Sequence, residues 1–374
     1  MHSPIVGLSL AAGLLLALQP PAARAAEGDP DAKEVKELVD KAVAYLKKRQ
    51  GEDGSFAPKI AGPGVSALVA ASLLRNGYGQ DDPLVAKTLA FLEKKVQKDG
   101  GVYDKQLANY TTSVALMAFA EANIDGKYNA LIKNATQFLK KLQFSNEQVE
   151  ETDPKFGGVG YDAGKRPDLS NTQLFLDALL AAGVPKDDPA VQRCLRFISR
   201  CQNLPGETND QAFAKKTTES DKGGLTYTPL DPDDSPHKTA DGGLRSLGGM
   251  TYAGLKSFLY AGVSKDDPRV KAAVAWIRNH YTLDENPGMG QAGLYYYYHT
   301  FGKGLAALGE NPFADAKGVK HNWRRELFEA LKKRQRDDGS WINQGDKQFG
   351  EAAPELATAF AVLTLSYCQP EKGK

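Results

Sequence analysis

A short phrase recurs along this 374-residue chain: a helix-forming run ending in Gln, then a tight glycine turn, then an aromatic residue. It reads Gln50-Gly51-Glu52-Asp53-Gly54-Ser55-Phe56, then Gln97-Lys98-Asp99-Gly100-Gly101-Val102-Tyr103, and again Gln335-Arg336-Asp337-Asp338-Gly339-Ser340-Trp341. Looser copies run from Gln143 to Tyr161 and from Gln202 to Tyr227, and Trp276 to Tyr295 is a degenerate copy without the Gln. Recurrence at roughly 45–80 residues marks stacked supersecondary units, each too small to bury its apolar face alone. The chain is therefore expected to form one continuous array.

Between the turns lie apolar stretches at helical spacing: 65–74, 112–120, 173–182, 252–261, 304–308 and 356–365. They are rich in Ala and Leu, strong helix formers, and apolar nearly all round, which suits helices enclosed on several sides. The segments before the Gln turns (35–49, 84–95, 131–142, 191–200, 270–279 and 323–334) mix Leu and aromatic positions with Lys, Arg and Glu. Two concentric layers satisfy that alternation, with amphipathic helices outside and apolar helices inside. Asp81-Asp82-Pro83, Asp187-Asp188-Pro189 and Asp266-Asp267-Pro268 each follow a glycine (Gly77, Gly183, Gly262). Gly stops a helix in the left-handed conformation, Asp caps the next one, and proline at its first position loses no hydrogen bond. These units predict the links from each inner helix to the next outer one. Strand signals are short and scarce (224–228, 294–298), so the fold class is all-α.

The Gln turns resemble the repeats of squalene–hopene cyclases and their relatives, the protein prenyltransferase β subunits and complement-type thioester domains. The resemblance spans the mature chain and implies an α/α toroid of about six helical hairpins. It also implies a structural role for Gln50 with Phe56, Gln97 with Tyr103 and Gln335 with Trp341, in which the Gln side chain caps a neighbouring helix and the ring stacks nearby.

Formal net charge is +1, from 47 basic and 46 acidic residues, so no global field recruits nucleic acid or anionic lipid. Residues 5–18 are apolar but shorter than the about 20 residues a membrane span needs, and they precede Pro20-Pro21 and the small-residue site Ala23-Arg24-Ala25. That pattern reads as a signal peptide over 1–25, followed by a single toroid domain over 26–374. The expected location is periplasmic or extracellular. Three cysteines make no disulfide framework; Cys194, Cys201 and Cys368 read as buried thiols.

Several chemistries of the resembled family can be weighed on the residues. Class II terpene cyclases protonate an olefin with the middle carboxyl of an Asp-x-Asp-Asp string that opens an inner helix. Asp231-Pro232-Asp233-Asp234 fits the string, with Asp233 as the acid between Asp231 and Asp234, but it sits in a polar loop and also reads as a solvated turn. Zinc is rejected, because His299 has no Asp-x-Cys partner, and no cofactor is called for. No Cys has a Gln three residues on, as a thioester needs. Polysaccharide lyases on the same fold need a base and basic residues, for which Arg245, His299 and Lys303 are available.

In such a toroid the amino ends of the inner helices converge on one mouth, where their dipoles gather. Tyr110, Asp168, Asn171, Arg245, Tyr252, Tyr297 and His299 fall near those ends, beside four consecutive tyrosines at 295–298. They read as a ligand-binding lining for an apolar or sugar-like molecule, or as helix caps and loop packing. The functional expectation is a squalene-cyclase-like exported protein that binds a small apolar or carbohydrate ligand, or an envelope protein partner, at its mouth. The alternatives are a terpene cyclase acting through Asp231–Asp234 and a polysaccharide lyase.

Overall fold

The computed structural model describes residues 28–369; the apolar segment read as a signal peptide lies outside them. Along the chain, α1 (Ala32–Arg49), the one-turn α2 (Pro58–Ala61) and α3 (Gly64–Arg75) form the first hairpin. Next come α4 (Pro83–Glu93) with α5 (Ala108–Ala122), α6 (Asn129–Leu142) with α7 (Leu169–Ala181), and α8 (Pro189–Arg200) with α9 (Gly248–Tyr260). The last two pairs are α10 (Pro268–Asn279) with α11 (Leu294–Leu308) and α12 (Trp323–Arg334) with α13 (Pro354–Cys368). Helices α3, α5, α7, α9, α11 and α13 pack in that order, and α13 returns to α3. The inner ring is thus closed, with one outer helix behind each member. The fold is an all-α toroid of six hairpins.

The recurring sequence phrases do recurring physical work. Asp82, Asp188 and Asp267 cap α4, α8 and α10 by accepting the backbone N–H of Leu84, Ala190 and Arg269, and Gly77, Gly183 and Gly262 have positive φ. The Gln side chains then lock onto those same first turns. Gln50 Nε2 donates to the Leu84 carbonyl, Gln143 Nε2 to that of Ala190 and Gln202 Nε2 to that of Arg269, at 3.0, 2.9 and 2.9 Å. Gln335 Nε2 reaches the Leu38 carbonyl of α1 at 2.9 Å and so ties the last outer helix to the first. A glycine of each turn lies against a carbonyl three residues further along the same partner helix. A Cβ on Gly157, whose φ is +86°, would stand 1.9 Å from the Arg193 oxygen, which only glycine avoids.

A fixed hydroxyl joins each turn to its inner helix. Ser66, Thr112, Thr172, Thr251 and Thr358 accept the backbone N–H of Phe56, Val102, Val159, Leu225 and Trp341 at 2.8–3.1 Å. These bonds satisfy amides that the fold buries, where an unpaired donor costs about 1–3 kcal/mol. Phe56 and Trp341 are fully buried, and the Trp341 indole donates to the Leu331 carbonyl.

Gln97 departs from the pattern. Its Nε2 donates to the carbonyls of Lys95 and Tyr103 within its own turn. The reason is position: Gln50 and Gln335 directly follow their helices, whereas α4 ends at Glu93 and Val96 pairs with Val102 before the turn begins. Tyr103 stacks on Phe138 with ring centres 5.5 Å apart.

Two further expectations change. The inner helix read at 304–308 begins ten residues earlier, at Leu294, so the run 294–298 forms the first turn of α11. A small hairpin, β1 (Phe313–Ala314) with β2 (Lys320–His321), is held by Asp315 Oδ1, which accepts the N–H of Lys317 and Val319. Among the described residues no helix is long and apolar enough to cross a membrane.

Candidate functional site

The amino ends of the inner helices enclose a cavity of about 520 Å³ at one face of the ring. Its wall is largely apolar, with Ile60, Leu107, Leu247, Met250, Met289, Leu356 and Phe360 among the lining side chains. Four tyrosines from separate repeats, Tyr110, Tyr161, Tyr227 and Tyr296, add hydroxyls, and Ser170 adds another. Ile60, Tyr161 and Phe349 at the rim are 47%, 37% and 39% exposed. Exposed large apolar groups gathered on one concave site mark a surface that another molecule covers.

Two buried acids flank this cavity, each closing the amino end of an inner helix. Asp168 caps α7 by accepting the backbone N–H and the side-chain amide of Asn171, both at 2.8 Å, and it also accepts the Tyr227 hydroxyl. Burial pushes its carboxyl up to about 6 even though those donors pull it down. Tyr227 bonds Tyr161 in turn, so a chain of polar groups runs from Asp168 to the cavity wall. Glu351, which lines the cavity, receives the N–H groups of Tyr295 and Tyr296 at the start of α11 and the Asn343 side-chain amide. Burial raises it to about 7. Each acid answers the positive end of a helix dipole.

Deeper along the axis, behind Tyr110 and Phe360, lies a second cavity of about 40 Å³. Here Asp177 of α7 sits between Lys256 of α9 and Lys303 of α11, at 2.5 and 2.7 Å. Burial drives the Asp177 carboxyl upward, but the two ammonium groups outweigh it and hold it below its usual range. Burial and the second lysine lower Lys256. His299 is buried beside them and held well below its usual range by burial and by Lys303, so it is neutral.

The sequence candidates divide accordingly. Tyr110 lines the mouth, and Asp168 and Asn171 lie directly behind its wall. His299 belongs to the deeper cavity. Arg245 is exposed and outside the lining. Tyr252 and Tyr297 are buried between α9 and α11, edge to face at 5.8 Å, and the Tyr297 hydroxyl donates to the Thr282 carbonyl. Of the four consecutive tyrosines only Tyr296 lines the mouth, because about 100° of rotation per helical residue sends its neighbours elsewhere. Asp231, Asp233 and Asp234 lie on an exposed 3-10 turn outside the cavity lining, and Lys238 bonds the Asp233 carboxylate at 2.6 Å and lowers it. Sequence reasoning missed Glu351, which no periodicity marks, and Tyr161 and Tyr227, which follow glycines of the looser turns.

The fold is an α/α toroid with an apolar cavity at the amino ends of its inner helices. Residues 58–219 match the family model of the squalene-hopene cyclase C-terminal domain. Among solved structures, the chain is similar to the type II terpene cyclase MstE from Scytonema at 16% identity, over 90% of this chain and 98% of that one, with a TM-score of 0.51. A possible member of the GH105 family from Salmonella enterica serovar Paratyphi A shares 11% identity over 93% and 96%, with a TM-score of 0.56. An alpha-amylase from Clostridium perfringens shares 14% over 90% and 98%, with a TM-score of 0.54. At such identities the likeness is one of fold. No match was found among curated proteins.

Proposed function

We propose that this chain is a binding protein of the squalene-cyclase-like fold, and that its mouth takes a predominantly apolar small molecule contacted by tyrosine hydroxyls. The observation that carries the reading is the mouth itself: an apolar cavity of about 520 Å³, within the roughly 300–1,000 Å³ of small-molecule sites, rimmed by exposed Ile60, Tyr161 and Phe349. Its acidic side chains are already engaged, since Asp346 accepts the N–H of Gln348, Phe349 and Glu351, and Glu351 caps α11, while Lys59 and Lys347 are exposed members of the lining. The tyrosine hydroxyls, with Tyr227 bonded to Asp168 and Tyr161 and Tyr296 accepting from Gln173, meet a ligand through their remaining hydrogen-bonding capacity. The apolar N-terminal run favours action outside the cytoplasm.

Placement of the acids favours binding over cyclisation. Protonating an olefin takes a strong carboxylic acid facing an apolar cavity, whereas Asp233 stands in solvent against Lys238. Glu351, which does line the mouth, is tied to the α11 amides and raised to about 7, a weaker acid than an ordinary carboxyl. The inner helix that does open with Asp reads Asp168-Leu169-Ser170-Asn171. In an Asp-x-Asp-Asp register its middle position, which lines the mouth, is Ser170, a hydroxyl far too weak to protonate a double bond. The lyase grouping is also not assembled, since Arg245 lies apart from His299 and Lys303.

Titration with geranylgeraniol and with an oligogalacturonide, followed by calorimetry, tests the reading. Saturable binding of the isoprenoid alcohol without turnover is expected, with at least about a tenfold loss (about 1.4 kcal/mol) in Met289→Trp, which fills the mouth. Binding of the sugar alone, or a cyclised isoprenoid product, would refute it.

A further inference from the structure

The buried charges on the toroid axis do not balance. Lys256 is fully buried and Lys303 is 8% exposed, yet among the described residues the carboxylate paired with both is Asp177 alone. The nearby Arg75 pairs with Glu121 at 2.9 Å. With both lysines protonated, one ammonium lacks a compensating charge in a setting where an uncompensated ion is strongly disfavoured, and the same burial lowers Lys256 to about 7. Lys256 uses its donors on Asp177 and on the Gln173 carbonyl. Lys303 spends one on Asp177 and lies over the Tyr260 ring, and an ammonium carries three donors.

The small axial cavity adjoins this excess. Lys303, His299 and Arg75 line it, along with apolar side chains such as Leu68, Val114 and Leu363. His299 is 5% exposed and its Nδ1 has no hydrogen-bond partner. A volume of about 40 Å³ holds about three water-sized positions, at 10–15 Å³ each. That is room for a small polar group such as a carboxylate.

We propose that the axial cavity binds one carboxylate, held by Lys303, Arg75 and His299, which supplies the negative charge that the Lys256–Asp177–Lys303 cluster lacks. Two sources share this chemistry: a free small acid, or the acid end of the molecule whose apolar part occupies the mouth. The second source rests on the mouth-binding reading above, and Tyr110 and Phe360, which line both cavities, are then the contact between its two parts.

Calorimetric titration of the full chain with sodium formate, dodecanoate and dodecanol, at constant ionic strength, separates the outcomes. Formate is expected to bind saturably, and Lys303→Met to weaken it by about tenfold or more, since tenfold corresponds to about 1.4 kcal/mol. That variant leaves Lys256 and Asp177 as a one-to-one pair and should stay folded. If it does not, Arg75→Gln at the cavity rim is read the same way, with about a fivefold loss expected. Dodecanoate binding more tightly than dodecanol in wild type, with the difference gone in the variant, assigns the acid to the mouth ligand. Formate binding with no such preference assigns a free acid. Formate binding while neither long-chain probe binds leaves the anion site standing and removes the mouth reading. Absence of saturable formate binding, or equal affinity in wild type and both variants, overturns the proposal.

Discussion

Glu351 is asked to do two things that conflict. It caps α11 through the N–H groups of Tyr295 and Tyr296, which favours its charge, and it is fully buried, which opposes it. Burial wins, and the carboxyl rises from 4.5 to about 7. Because the folded form holds its proton more tightly than the unfolded chain, the group's contribution to stability is greatest below pH 4.5 and falls as pH rises through about 7. Over that window the loss is roughly 3 kcal/mol at 1.36 kcal/mol per unit. Urea unfolding of wild type and Glu351→Gln from pH 4 to 8 checks this. The difference between them is expected to shift against wild type by about that amount as pH rises, and a constant difference would show that the carboxyl keeps an ordinary affinity for its proton.

Among the elements, the Gln turns act as clasps between successive outer helices. Gln335 spans the join between chain ends, from α12 to Leu38 of α1, whereas Gln97 bonds only its own turn. Each side chain donates two hydrogen bonds, but only Gln335 spends one on another helix, so Gln335→Ala should cost about 1–2 kcal/mol and Gln97→Ala less than about 1. Denaturant midpoints of the two variants decide it, and equal losses would mean that the clasp across the join carries nothing. Most of this level was legible in the sequence. Capping Asp, first-turn Pro and stopping Gly are local chemistry, so the Asp-Asp-Pro links fall where expected. The α11 start was not legible, because its N-terminal amides are answered by Glu351, 56 residues away from Tyr295, and a run of tyrosines carries no helical signature. The five clasping hydroxyls, Ser66 to Thr358, escaped for a similar reason: each looks like any other helical Ser or Thr until its turn folds back on it.

For the molecule as a whole, closure of two nested rings sets where function can be. Side chains from all the repeats meet only along the axis, and there the apolar mouth stands above a buried ionic cluster. Alternating polar and apolar segments sufficed to foresee the two layers, and the resemblance of the Gln turns to a known family supplied the ring and the end at which the cavity opens. They did not foresee its lining, because which face of each inner helix turns inward depends on packing against both neighbours. Hence Tyr110 was foreseen while Tyr161 and Tyr227 were not, and Arg245, Tyr252 and Tyr297 turned out to lie elsewhere. The acidic string Asp231–Asp234 fits a motif in one dimension and projects into solvent in three. The most direct measurement of the central claim, that the mouth is a binding site, is photolabelling with a diazirine analogue of geranylgeraniol, followed by mass spectrometry of the modified peptides. Saturable labelling concentrated on segments containing Tyr110, Met289, Tyr296 and Phe360, and competed by unlabelled geranylgeraniol, is the predicted result. Labelling confined to the outer helices, or undiminished by competitor, would contradict it.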